Sequence, residues 1–161
     1  MRNSWLNRHL GIAFAMLCVF VLPWNRTATA AEDAQYKTVD GLAIYLGMVP
    51  AEIVKGHPSG HTETTMHGGS PKGRHEYHLV AAIFDAASGA RVSDAMVTAQ
   101  ISGLGLSGTT KKLESMEIAK TISYGEFFDL PGSDLYTIKL TIQRPGSQPV
   151  VLDFKYDHRR Q

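Results

Sequence analysis

Apolar and polar residues alternate along several short stretches of the chain. From Leu135 to Ile142 the side chains of Tyr136, Ile138, Leu140 and Ile142 point one way, and threonine and lysine point the other. Val151–Asp157 repeats the pattern with Leu152, Phe154 and Tyr156. A period of two residues is typical of β-strands that are buried on one face. Both stretches are therefore predicted to be strands.

Other stretches extend this prediction to most of the chain. They are Gly41–Val49, Tyr77–Phe84, Ala95–Ile101 and Met116–Tyr124. Glycine, proline and aspartate separate them, and no segment has a convincing helical period. The pattern predicts an all-β fold, an immunoglobulin-like antiparallel β-sandwich of six or seven strands with a long His/Gly-rich loop.

One tyrosine matches a structural motif that is typical of the immunoglobulin-like fold. The segment "DLPGSDLYTIKLTI" resembles the turn and strand that form a tyrosine corner, in which a tyrosine hydroxyl bonds to the backbone a few residues upstream. Tyr136 is the candidate. The alternative is that Tyr136 is simply an aromatic residue of the core.

The N-terminal region has the features of a secretory signal peptide. Arg2 and Arg8 precede the apolar run Leu10–Trp24, and small residues follow at Ala28–Ala30. We expect residues 1–30 to be a signal peptide, 31–40 a flexible segment and 41–158 a single β-sandwich domain. An uncleaved membrane anchor is the alternative.

Export and cleavage change the composition of the chain. Removing residues 1–30 removes the lone Cys18, so neither disulfides nor thiolate ligands are available. Three arginines leave as well, and acidic residues then slightly outnumber basic ones. We therefore expect a periplasmic protein without nucleic-acid binding, and without membrane insertion after cleavage.

Histidines gather in the predicted long loop and at the start of the strand after it. The segment Gly56–His78 contains five of the seven histidines, together with one methionine. Neutral imidazole is the commonest metal ligand in proteins, and a thioether favours copper, Cu(I) above all. Copper is the predicted metal and zinc the alternative; a flexible polar loop without metal remains open. The candidate ligands are His57, His61, Met66, His67, His75 and His78.

No catalytic motif accompanies these residues. The chain has no G-x-S-x-G nucleophile elbow, no H-E-x-x-H zinc motif and no phosphate-binding glycine loop. We therefore expect no catalytic residues and no enzymatic activity.

Three segments resemble those of small bacterial periplasmic copper-handling proteins of immunoglobulin-like fold, the YtkA-like and CopC-like groups. They are "SGARVSDAMVTAQI" (88–101), "PGSDLYTIKLTI" (131–142) and "TMHGG" (65–69). The resemblance implies a copper carrier or chaperone that exchanges metal with an unidentified envelope or periplasmic protein. The alternative is a non-catalytic interaction module or accessory subunit without metal. Convergence of three or more of the candidate ligands would distinguish the two.

Overall fold

The computed structural model describes residues 35–55, 73–132 and 134–160, which form eight strands and two short helical segments. The strands are β1 (Tyr36–Val39), β2 (Leu42–Pro50), β3 (Glu76–Asp85), β4 (Met96–Ser102), β5 (Thr109–Ile118), β6 (Thr121–Asp129), β7 (Leu135–Gln143) and β8 (Val150–Asp157). Helix α1 (Ala51–Lys55) follows β2 directly, and a 3-10 turn (His158–Arg160) follows β8. None of the helices in these ranges is long and apolar enough to cross a bilayer.

All eight strands belong to one continuous antiparallel sheet in the order β1-β2-β3-β6-β5-β4-β7-β8. Strand β5 joins the two halves, because residues 109–113 pair with β4 and residues 114–118 pair with β6. The sheet folds over until it nearly closes, since Lys37 Nζ of β1 lies 5.8 Å from the ring centroid of Phe154 in β8. The predicted all-β antiparallel architecture is confirmed, with eight strands in place of six or seven.

A single main core lies inside the folded sheet. Both halves contribute alternate residues to it, as the period of two predicted. Its largest fully buried members include Tyr124, Phe128, Phe154, Leu42, Ile44, Leu79, Ile83, Leu113, Ile138 and Leu140. The predicted inward residues of the strand that begins at Leu135 are all buried.

The prediction of one strand over Met116–Tyr124 is wrong. Residues 119 and 120 form a two-residue hairpin turn between β5 and β6, with Ile118 opposite Thr121. Ala119 and Lys120 both have positive φ, 49° and 64°. Such a turn usually carries asparagine or glycine, which accept this conformation readily. Alanine and lysine are not typical turn residues. The alternation of apolar and polar residues before and after them therefore has the pattern of one continuous strand.

Two further elements differ from the expectations. Strand β1 lies within residues 31–40, the segment expected to be flexible, and pairs with β2 from Tyr36 to Val39. Helix α1 was not predicted, because five residues are too few to show a helical period. The predicted signal peptide, residues 1–30, lies outside the described residues.

The tyrosine corner is confirmed. The Tyr136 hydroxyl donates a 2.6 Å hydrogen bond to the carbonyl oxygen of Pro131, five residues upstream. Tyr136 is also buried in the core. The bond ties the β6–β7 connection to the start of β7.

Candidate metal centre

Two of the six predicted metal ligands fall in the described residues. His57, His61, Met66 and His67 lie outside them, so the predicted convergence of loop ligands stays a prediction. His75 and His78 are described and lie three residues apart at the start of β3.

His75 is the last residue before β3, as expected. Its side chain is exposed. Its carbonyl oxygen accepts a 2.8 Å hydrogen bond from the backbone N–H of Leu130. This bond fixes the backbone at the start of β3 and leaves the imidazole in solvent.

His78 lies inside β3, and its side chain is completely buried. Leu79, Ala81 and Ile83 alternate into the main core. His78 therefore points to the opposite side of the sheet. We call this side the outer face; its residues near His78 are Val49 of β2, Met116 of β5, and Gly125 and Phe127 of β6. His78 stacks on Phe127, its cross-strand partner, with ring centroids 4.6 Å apart and an interplanar angle of 28°.

A second, smaller apolar cluster covers this part of the outer face. Ala51 and Val54 of α1 pack with Phe127, and Val49 joins them. The first three are each no more than 3% exposed. Phe127 therefore contacts both the imidazole of His78 and helix α1.

Sequence reasoning missed Met116, which lies beside His78. A Cβ atom added at Gly125 would collide with the Met116 methyl group and would stand 2.8 Å from His78 Nε2. Both side chains thus fill the space that Gly125 leaves open. Met116 is 2% exposed and reaches this point from β5, two strands away from β3. Only the strand register reveals this proximity, since the two residues are 38 positions apart in the sequence.

An arginine bounds the outer face next to this pair. Ser123 lies opposite Met116 in the hairpin, and Arg91 Nη2 donates to Ser123 Oγ at 3.3 Å and to Thr121 Oγ1 at 3.1 Å. The guanidinium also lies 4.5 Å from the ring centroid of Phe84. A bound cation is disfavoured near this fixed positive charge. The His78 side of Met116 is therefore the better place for a metal.

The remaining described histidine belongs to a different environment. His158 follows β8, and its Nε2 is 2.7 Å from the hydroxyl oxygen of Tyr77. Its ring also stacks on Tyr156, with centroids 5.9 Å apart. Tyr77 packs against the main core, on the side of β3 opposite to His78. His158 is thus separate from the His78–Met116 pair.

The pair supplies one imidazole and one thioether within a water-poor region. Together these donors suit Cu(I) better than calcium or magnesium, which require several oxygen ligands. Within the described ranges, no group of three or more histidine, cysteine, aspartate or glutamate side chains could hold a metal ion. The described part of the chain therefore provides two soft or borderline donors, and a full coordination shell requires others.

Comparison with known proteins identifies relatives in structure alone. No family model matches the sequence, and no curated protein matches it. A DUF4426 family protein from Pseudomonas aeruginosa superposes with a TM-score of 0.58 at 14% identity, covering 76% of this chain and 92% of that one. A copper-bound variant of FetP from uropathogenic Escherichia coli gives 0.57 at 12% identity, with the same coverages.

Copper-reconstituted P19 from Campylobacter jejuni gives a TM-score of 0.60 at 13% identity and covers 76% of this chain and 91% of that protein. Two of these three structures therefore contain copper. The expected resemblance to small periplasmic copper proteins is confirmed at the level of the fold, which this chain shares with P19 and FetP.

Proposed function

We propose that this protein is a periplasmic copper-binding protein that carries copper and has no enzymatic activity. The observation that carries the proposal is the meeting of His78 and Met116 at Gly125 on the outer face of the sheet. The structurally similar proteins FetP and P19 contain copper, and this supports the choice of metal.

His78 is the fixed ligand in this proposal. It stands on a paired strand and is stacked on Phe127, so little conformational entropy is lost when it binds an ion. Met116 supplies the thioether beside it. The remaining ligands come from the predicted set of His57, His61, Met66, His67 and His75. A thioether among imidazoles favours copper over zinc.

The fold and the location belong to the same proposal. The folded sheet is an immunoglobulin-like sandwich, supported by the tyrosine corner at Tyr136 and by the core that both halves share. The signal-like residues 1–30 direct the chain to the periplasm. There the protein exchanges copper with an envelope or periplasmic partner.

Competition with a chromophoric chelator tests the proposal. Mature protein would be titrated anaerobically with Cu(I), and separately with Cu(II) and Zn(II). We expect His78→Gln and Met116→Leu each to weaken Cu(I) binding by at least about tenfold, or 1.4 kcal/mol. Met116→Leu should change Cu(II) affinity far less, because a thioether prefers the softer ion.

Two matched variants serve as controls. Met96→Leu removes a thioether that is 54% exposed and lies outside the site. His158→Gln removes an imidazole on the other side of β3. Both should bind copper like the parent protein. If all variants bind alike, or the parent binds no metal, copper carriage fails and an interaction module without metal takes its place.

A further inference from the structure

We infer that Arg91 makes the site at His78 and Met116 selective for Cu(I), because its fixed positive charge repels Cu(II) more strongly. The inference rests on the proposed function and adds a specificity-determining residue to it. Arg91 precedes β4, and its backbone forms an isolated β-bridge with Phe84 of β3. Its guanidinium lies 4.5 Å from the centroid of the same ring, on the outer face. Both ends of the residue are therefore fixed to β3.

Hydrogen bonds to β6 hold the guanidinium close to the proposed ligands. Its Nη2 donates to Ser123 Oγ at 3.3 Å and to a second hydroxyl of β6 at 3.1 Å. Ser123 is directly opposite Met116 in the hairpin and two residues from Gly125, where Met116 and His78 meet. Residues two positions apart in a strand are separated by about 7 Å. The charge therefore lies roughly 10 Å from an ion held between the imidazole and the thioether.

This guanidinium has no carboxylate beside it to neutralise its charge. Nε and Nη1 of Arg91 are buried and have no hydrogen-bond partner within the described residues. The ion pairs found in that part of the chain join Lys111 to Glu126 and Arg159 to Asp157. Salt screens a half-buried charge less than an exposed one. The field of Arg91 therefore acts on the neighbouring part of the outer face.

The repulsion between a fixed positive charge and a divalent ion is twice that for a monovalent ion. At a separation of about 10 Å and an effective dielectric constant of about 20, it lowers affinity about tenfold for each unit of charge on the ion. Arg91 therefore weakens Cu(II) binding about tenfold more than Cu(I) binding. The thioether of Met116 favours Cu(I) as well, so softness and charge select the same oxidation state.

Substitutions that remove or keep the charge of Arg91 test this inference. Mature protein would be titrated with Cu(I) under anaerobic conditions, and separately with Cu(II), in competition with a chromophoric chelator. We expect Arg91→Gln to raise Cu(I) affinity about tenfold and Cu(II) affinity about a hundredfold. A gain in affinity is informative, because damage to the fold would weaken the binding of both ions.

Two further variants at the same position separate charge from packing. Arg91→Leu is a second neutral variant that keeps an apolar contact with Phe84, and it should behave like Arg91→Gln. Arg91→Lys keeps the positive charge and should retain most of the preference for Cu(I). Lys155→Gln is the matched control elsewhere, since it removes an exposed positive charge from β8, in the other half of the sheet. It should leave the ratio of the two affinities unchanged.

Voltammetry of the copper-loaded protein measures the same selectivity in another way. Arg91→Gln should lower the reduction potential of the bound copper by about 59 mV, which is a tenfold change in the affinity ratio for a one-electron couple. The inference is overturned if neither neutral variant changes that ratio, if both lower the affinity for both ions, or if Arg91→Lys or Lys155→Gln changes the ratio as much as Arg91→Gln. In each of these cases copper binding by the parent protein still stands. A parent protein that binds no copper overturns the proposed function, and this inference with it.

Discussion

Two glycines of the outer face differ in whether the structure has room for a Cβ atom, and one of them lies at the candidate site. Gly47 of β2 and Gly125 of β6 both pair with Val80 of β3, one on each side of it. A Cβ at Gly47 would meet no atom within 4 Å. A Cβ at Gly125 would meet the Met116 methyl, His78 Nε2 at 2.8 Å and a backbone carbonyl oxygen of β3 at 3.0 Å. Gly125 is therefore the position that lets imidazole and thioether approach each other.

The same substitution at the two glycines should have opposite effects. We expect Gly125→Ala to lower the free energy of unfolding by about 1–3 kcal/mol, the usual cost of overpacking. Gly47→Ala should raise it by up to about 1 kcal/mol, because alanine loses less backbone entropy than glycine in a strand. Urea unfolding of both variants measures this. Equal effects would mean that Met116 and His78 do not occupy the space above Gly125.

At the scale of elements, alternation predicts strands only where the turns between them are also visible in the sequence. The strand from Leu135 was predicted because its inward residues are strictly apolar and a Pro-Gly turn precedes it. The β5–β6 hairpin was missed because Ala119 and Lys120 are not typical turn residues. The error had a second consequence: without that hairpin, Met116 could not be placed next to Gly125 and His78.

The hairpin turn itself offers a direct test. Non-glycine residues with positive φ carry a cost of about 1–2 kcal/mol, and Ala119 and Lys120 both carry it. Replacing the pair by Ala119→Asn and Lys120→Gly should therefore raise the free energy of unfolding by about 1 kcal/mol. The denaturation midpoint in urea would show the gain. A midpoint that stays the same or falls would mean that the two residues do not form this turn.

At the scale of the whole molecule, the two buried tyrosines of the core make the free energy of unfolding depend on pH in the alkaline range. Burial raises the pKa of Tyr124 and of Tyr136 above the ordinary value of 10.0. Their hydroxyls donate to the carbonyl oxygens of Val92 and Pro131, which requires the protonated form. Because the folded-state pKa is raised, their contribution is fully present below about pH 10 and is lost as pH rises above it.

The substitution Tyr136→Phe measures the contribution of Tyr136 to this pH dependence. Below about pH 10 the variant should be less stable by about 1 kcal/mol, the usual net value of one hydrogen bond. Above that pH the difference should shrink, because the variant has no Tyr136 to ionise. Urea midpoints on both sides of about pH 10 measure it, with exposed Tyr45→Phe as the control. A constant difference between the parent and the Tyr136 variant at all pH values would contradict the account.

The fold class could be predicted from the sequence, while the described site could be predicted only in part. His78 was a candidate because histidines cluster near it, and this clustering can be seen in the sequence alone. Met116, Gly125 and Phe127 became neighbours of His78 through strand register, which a single sequence does not specify. Helix α1 was missed because its position depends on packing with Phe127.

The central claim is that copper binds at His78 and Met116, and one nuclear magnetic resonance titration tests it most directly. A proton–carbon correlation spectrum of the mature protein contains both the His78 imidazole and the Met116 methyl signals. Cu(I) is diamagnetic, so these signals remain visible as it is added anaerobically. We predict that both shift together and saturate at one equivalent, while exposed Met96 stays unchanged. Unchanged His78 and Met116 signals at one equivalent of Cu(I) would contradict the claim.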